Sequence, residues 1–232
     1  MELTPRDAAR MLGLSEETVH RFVKDGSIPC YRLKDKVRFN RVELLEWATS
    51  RRIQVAPEFF RDDDAVSPLL LMASLRRGGV HRDIPGESRS AVLQELCKRL
   101  PLPARVSRKD LFTVLQAREA ESSTGIGDGL ALPHPRKPIV LGLGEPLVAC
   151  AFLGRPVDFG AADGKPVHTM FAIVSTTARN HLQILSHLMC ALQDTGFRSK
   201  LDAKAELEPI CTELRRVESA IDASNTPGGS AA

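Results

Sequence analysis

Two uninterrupted apolar runs, EPLVACAFL at 145–153 and PVHTMFAIVS at 166–175, constrain this chain more than any other feature. Rich in Val, Ile and Phe and bounded by turn residues, they read as buried strands rather than helices. A strand that is apolar on both faces needs cover on both faces, so helices must lie above and below it. The flanking sequence supplies them. Val92, Leu93, Leu96 and Leu100 fall at helical spacing, as do Leu111, Val114 and Leu115, and Leu182, Leu185, Leu188, Met189 and Leu192. Ser107 followed by Asp110 has the pattern of a capping box at the start of the second of these helices. Helices alternating with buried strands predict an α/β fold, a sandwich with a central mixed sheet flanked by helices.

The first fifty residues follow a different pattern. Thr4 before Pro5 is an N-cap with proline at the first helical position, Ala8, Ala9, Met11 and Leu12 give an apolar face, and Gly13 ends the helix. Ser15 caps a second helix whose buried stripe is Val19, Phe22 and Val23. Two helices joined by a short glycine-containing turn predict a helix-turn-helix. After Gly26, YRL and VRF flank Lys34, Asp35 and Lys36 as a hairpin wing, and Asn40 caps a helix that packs back through Val42, Leu45 and Trp47 or Ala48. The stretch IQVAPEFFRDDDAVSP, with two prolines and three consecutive aspartates, separates the two patterns. The expected division is a small winged helix-turn-helix domain at 1–52, a linker at 53–67, the α/β domain at 68–218, and a flexible tail at 219–232 that ends in small and polar residues.

Charge narrows the function classes. The chain's 32 basic and 29 acidic residues leave a net +3, too little for general attraction to nucleic acid or membrane. Residues 20–41, however, hold seven basic residues against two acidic, and phosphates are the natural counter-charge for such a patch. The longest uncharged stretch, Asn180 to Gln193, contains two histidines and falls short of the ~18 apolar residues of a membrane span, so no membrane insertion is expected. MELTPRDAAR has no apolar leader segment, and five scattered cysteines without a CxxC pair suggest neither a disulfide framework nor a metal site. A reducing cytoplasm is the expected compartment.

The run LTPRDAARMLGLSEETVHRFVKDGSIPCYRLKDKVRFNRVELLEWA resembles the winged helix-turn-helix of the MerR and phage-excisionase class over about the first fifty positions. That resemblance implies duplex DNA as a partner, with the second helix in the major groove and the wing on the backbone or minor groove. The contact residues would be Ser15, Thr18, His20, Arg21 and Lys24 on the helix, and Arg32, Lys34, Lys36 and Arg38 on the wing.

In the larger domain the chemistry concentrates in STGIGDGLALPHPR. Three glycines within five residues permit close backbone approaches, and His134 sits between two prolines of fixed φ. A rigidly presented imidazole beside a glycine-rich loop suits nucleophilic chemistry near neutral pH. The segments AREAESSTGIGDGLALPHP and RNHLQILSHL resemble the fructose, mannitol and nitrogen-regulatory class of IIA proteins of the bacterial phosphoenolpyruvate-dependent phosphotransferase system. The resemblance implies that His134 takes a phosphoryl group from a histidine-phosphocarrier protein. It also implies that Arg118 is the active-site arginine and His181 a second histidine near the phosphoryl group. Transfer between imidazoles rests on positioning and charge stabilisation and requires no metal or other cofactor. His168 and His187 read as structural.

These readings together describe a cytoplasmic transcriptional regulator, a phosphoacceptor rather than a free-standing enzyme, controlled through His134. Two alternatives stay open. One is a IIA carrier that relays phosphate to a sugar permease of the fructose or mannitol class, with the N-terminal module used for docking; a permease IIB component or another regulatory protein is the further partner expected. The other is an interaction protein with a vestigial phosphosite.

Overall fold

A computed structural model describes residues 2–33, 36–51, 53, 55, 68–135 and 143–225. The chain divides into two compact units at Val66/Ser67. Most of the expected linker lies outside the described residues.

The first unit runs β1 (Glu2–Leu3), α1 (Pro5–Leu12), α2 (Glu16–Lys24), β2 (Tyr31–Leu33), β3 (Lys36–Asn40) and α3 (Arg41–Ser50). Thr4 caps α1 reciprocally with Asp7, and Gly13 closes it at φ 62°. Ser15 Oγ accepts from Thr18 N–H to start α2. β2 pairs antiparallel with β3 as the wing, and β3 also pairs with β1, a strand that two residues of sequence do not announce. Val19, Phe39, Leu44, Leu45 and Ala48 are buried together with the apolar face of α1. Trp47 meets Phe22 edge to face with ring centres 5.5 Å apart, so α3 packs back through Leu45, Trp47 and Ala48, while the side chain of Val42 lies outside the described residues.

The second unit contains α4 (Leu70–Gly78), β4 (Val80–Ile84), α5 (Arg89–Arg99), α6 (Arg108–Glu121), β5 (Gly125–Gly127), β6 (Leu130–Ala131), β7 (Leu147–Val157), β8 (Val167–Val174), α7 (Ala178–Gln193), α8 (Thr195–Asp202) and α9 (Leu207–Asn225). Its sheet has the order β4-β7-β8-β6-β5 and is mixed: β4 runs parallel to β7 and β6 parallel to β8, while β7/β8 and β5/β6 are antiparallel. The two apolar runs are its central strands. Alternate residues of β7, including Ala149, Ala151 and Leu153, join one core with Val92, Leu93 and Leu96 of α5 and Leu111 and Leu115 of α6. The opposite face of β7 is covered by α4, and Gly78 permits the approach, because a Cβ there would lie 2.0 Å from the Val148 carbonyl oxygen. Helices α7 and α9 pack on α4.

Two expectations are refined. Ser107 Oγ accepts from Asp110 N–H at 3.1 Å, which gives the capping half of the expected box. Residues 219–225, expected in the tail, are helical, because α9 continues to Asn225. The half-buried Ile221 extends the stripe of Ile210, Leu214 and Val217, so the last turns have something to pack. Residues 226–232 lie outside the described part.

Candidate functional site

The chain leaving β6 keeps running beside β8, where Ile173 N–H donates to the Pro133 carbonyl at 2.9 Å. On the other side Leu132 N–H donates to Thr124 O, also at 2.9 Å. Segment 132–135 is thus pinned from both flanks, and its two prolines remove what backbone freedom remains. His134 is buried, with Nδ1 2.7 Å from the Leu132 carbonyl oxygen. A carbonyl can only accept, so Nδ1 carries the proton and the lone pair of the neutral ring sits on Nε2. Nε2 is the basic nitrogen of the ring.

His181 follows the C-terminal end of β8, the end beside which His134 lies. Thr177 caps α7 by accepting from Asn180 N–H at 3.1 Å, and His181 follows within the first turns. Its ring centre lies 5.1 Å from that of His134 with the planes tilted by 48°, and its Nδ1 is 3.3 Å from Ser175 Oγ. The start of α7 therefore lies beside the imidazole pair, and helix starts favour an anion through their backbone N–H groups. A phosphoryl group on Nε2 of His134 would meet a second imidazole and a positive helix end there.

Arg118 is placed differently. Its Nη1 donates to the carbonyl and hydroxyl oxygens of Ser122, at 2.8 and 2.9 Å, at the end of α6. The neighbouring Glu119 is buried, accepts from Thr124 N–H and Oγ1–H, and lies 3.8 Å from Arg89 Nη1. Burial pushes its carboxyl above the usual carboxylate range. Sequence reasoning missed Glu119, although it continues the Leu111 and Leu115 stripe at four-residue spacing.

The glycine-rich turn consists of three consecutive left-handed residues, Gly127, Asp128 and Gly129. A Cβ on Gly129 would fall 2.2 Å from the His168 ring, so that position has no room for one. Lys165 Nζ lies 3.1 Å from Asp128 Oδ1, which offsets the charge of the aspartate. No cluster of three or more metal-ligating side chains occurs among the described residues. No described helix is long and apolar enough to cross a membrane.

In the first unit, His20, Arg21 and Lys24 are exposed on α2, opposite the buried Val19. Thr18 is half-buried, and its hydroxyl lies 2.9 Å from the exposed Ser15 Oγ. On the wing, Lys36 is exposed and Arg38 is half-buried. Arg38 donates to Val37 O. The side chain of Arg32 and the whole of Lys34 lie outside the described residues.

The α/β unit thus carries a rigidly held histidine at the end of the inner strand β6 and, with ring centres 5.1 Å apart, a second histidine at the start of α7. The chain belongs to the EIIA 2 family of the phosphoenolpyruvate-dependent sugar phosphotransferase system, whose model matches residues 74–215. A helix-turn-helix domain model matches residues 2–52. Over 132 residues the chain is 33% identical to a nitrogen regulatory protein of Pseudomonas aeruginosa, covering 55% of this chain and 83% of that one. It is 34% identical over 116 residues to a fructose-specific EIIA component of Haloferax volcanii, covering 47% and 73%. Among solved structures, the nitrogen regulatory protein IIA-Ntr of Neisseria meningitidis superposes with a TM-score of 0.51 at 31% identity, over 59% of this chain and 92% of that one.

Proposed function

We propose that this chain is a cytoplasmic, MerR-like DNA-binding transcriptional regulator whose input is phosphoryl transfer from a histidine-phosphocarrier protein to Nε2 of His134. The observation that carries the reading is the pairing of a helix-turn-helix domain with a IIA-family unit in which Nδ1–H of His134 is committed to Leu132 O beside the His181 ring. In the transfer step Nε2 attacks the phosphorus while the bond to the donor imidazole breaks, and the donor returns to its neutral form. Arg118 and His181 offer hydrogen bonds to the phosphoryl oxygens. The phosphate adds about 1.5–2 negative charges, enough to change how the basic module meets DNA.

The test has two arms. Incubation with phosphoenolpyruvate, the first phosphotransferase of the relay and the phosphocarrier should add one phosphate to the intact mass. A site enriched from a random duplex library should then bind the phosphorylated form more weakly, with a coupling of about 1–3 kcal/mol. Equal dissociation constants for the two forms would overturn control by phosphorylation, and the absence of any enriched site would overturn the regulator reading.

Contacts of the basic module to DNA give a separate expectation. Replacing Arg32, Lys34, Lys36 and Arg38 together by Ala should weaken binding to all sequences alike and flatten the slope of log K against log salt by up to about 0.9 per lost phosphate contact. Arg21→Ala should alter sequence preference instead, because Arg21 projects from the helix assigned to the groove. Filter or fluorescence titrations over a salt series check both.

The similarity to a fructose-specific EIIA component favours one rival, a carrier that hands its phosphate to a permease IIB component. Rapid loss of the label from His134 to purified IIB protein, with no DNA site enriched, would select that rival.

A further inference from the structure

We propose that Glu119 is the positioning residue for His134, acting through Thr124 and Leu132. The proposal rests on the reading of His134 as phosphoacceptor and assigns a role that neither the glycine-rich loop nor the histidine pair explains.

Three links join the carboxylate to the imidazole. Glu119 holds Thr124 at two points: both carboxylate oxygens lie 3.2 Å from Thr124 N, and Oε2 accepts from the Thr124 hydroxyl. Thr124 O then accepts from Leu132 N–H at 2.9 Å. Leu132 O in turn accepts from His134 Nδ1–H at 2.7 Å. The N–H and C=O of one residue belong to different peptide groups, so the path works by placement and not by polarisation along a single conjugated chain. A shift of Thr124 moves Leu132, and Leu132 O is the acceptor that keeps the proton on Nδ1 and the lone pair on Nε2.

Burial makes the role specific. The Glu119 side chain is 5% exposed, and Arg89 Nη1 lies 3.8 Å from it, beyond hydrogen-bond range. A carboxylate costs stability in such a place, and an apolar side chain continuing the Leu111 and Leu115 stripe would pack there without that cost. What an apolar residue cannot do is accept two hydrogen bonds from Thr124. The same loop is fastened residue by residue: Arg118 holds Ser122, Ser123 Oγ donates to Phe159 O, and Glu119 holds Thr124. The chain passes from α6 to β5 with its register against Leu132 fixed at every step.

The test uses the full chain carrying Glu119→Gln, which keeps the volume and one acceptor oxygen but turns the other toward Thr124 as a donor. The ring nitrogens of His134, read by 15N–1H correlation in the unphosphorylated protein, should report the Nδ1–H tautomer in the wild type and a mixture of tautomers in the variant. In the reconstituted relay the variant should take up phosphate about 10- to 100-fold more slowly, the scale expected when a reacting group is misplaced by a fraction of an ångström to an ångström. Unchanged ring shifts together with a wild-type transfer rate would overturn the proposal. The NMR arm needs no relay, so a wild type that takes up no phosphate would overturn the phosphoacceptor reading and leave the positioning role to be decided by the ring shifts. Should Glu119→Gln not fold, Thr124→Val removes only the hydroxyl link, and the same two readouts decide.

Discussion

His134→Ala is expected to carry no acid-labile phosphate after incubation with the complete relay, whereas His168→Ala is expected to carry the wild-type amount. Both histidines border the same strand pair, but at opposite ends. His134 lies alongside Ile173, and His168 is five residues earlier on β8, about 16 Å away at strand rise. Only the His134 end has the start of α7 and a second imidazole beside it. His168 is packed over Gly129, with Nδ1 2.9 Å from Thr169 Oγ1, and burial lowers its pKa. His181→Ala separates acceptance from stabilisation. It should slow labelling by about 10²–10³-fold, equivalent to about 2.7–4 kcal/mol for one lost donor, while the final label still reaches one phosphate. Intact mass against time reads both quantities, and label persisting in His134→Ala would remove it as the acceptor.

Where local periodicity decides structure, the sequence was legible. Strands β7 and β8 are buried on both faces and therefore read as unbroken apolar runs, and α1 and α2 advertise their caps within four residues. Strand β4, VHRDI, escapes because it is an edge strand, half exposed and bearing Arg82 and Asp83, with no alternation to detect. The start of α4 escapes for another reason. Leu69 before it has φ 54° and no side chain able to cap, and the group that does cap it, Glu218, lies 147 residues along the chain from Leu71. The site divides in the same way. His134 stands out because proline and glycine mark it locally, and His181 was placed only by resemblance. Glu119 and Glu218 look like ordinary surface charges until their positions are counted: each falls on the apolar stripe of its helix, Glu119 after Leu111 and Leu115, Glu218 four residues after Leu214. A lone acid on a buried stripe was the available signal.

Glu218→Ala should destabilise the second unit by about 3–5 kcal/mol, a large part of the roughly 5–15 kcal/mol that holds a domain folded. Glu218 is fully buried, with Oε1 2.9 Å from Leu71 N, Oε2 2.8 Å from Met72 N, and Oε1 also 2.8 Å from His187 Nδ1. A carboxylate from α9 thus caps the first turn of α4, where the helix dipole favours an anion, and α7 contributes the imidazole. Truncation leaves two buried N–H donors and a buried histidine without the acceptor they share. The exposed pair Arg76 to Glu208 gives the contrast: its geometry is bidentate, at 2.8 and 2.7 Å, but its side chains are 40% and 66% exposed, so Glu208→Ala should cost far less than Glu218→Ala. Denaturant titration separates the units, because Trp47, the only tryptophan, reports on the first unit by fluorescence, while far-UV circular dichroism is dominated by the longer and more numerous helices of the second. Glu218→Ala should move the dichroism midpoint sharply down and leave the Trp47 transition in place. A dichroism midpoint no lower than that of Glu208→Ala would mean that α4 finds its cap elsewhere and that the three-helix junction does not depend on this carboxylate.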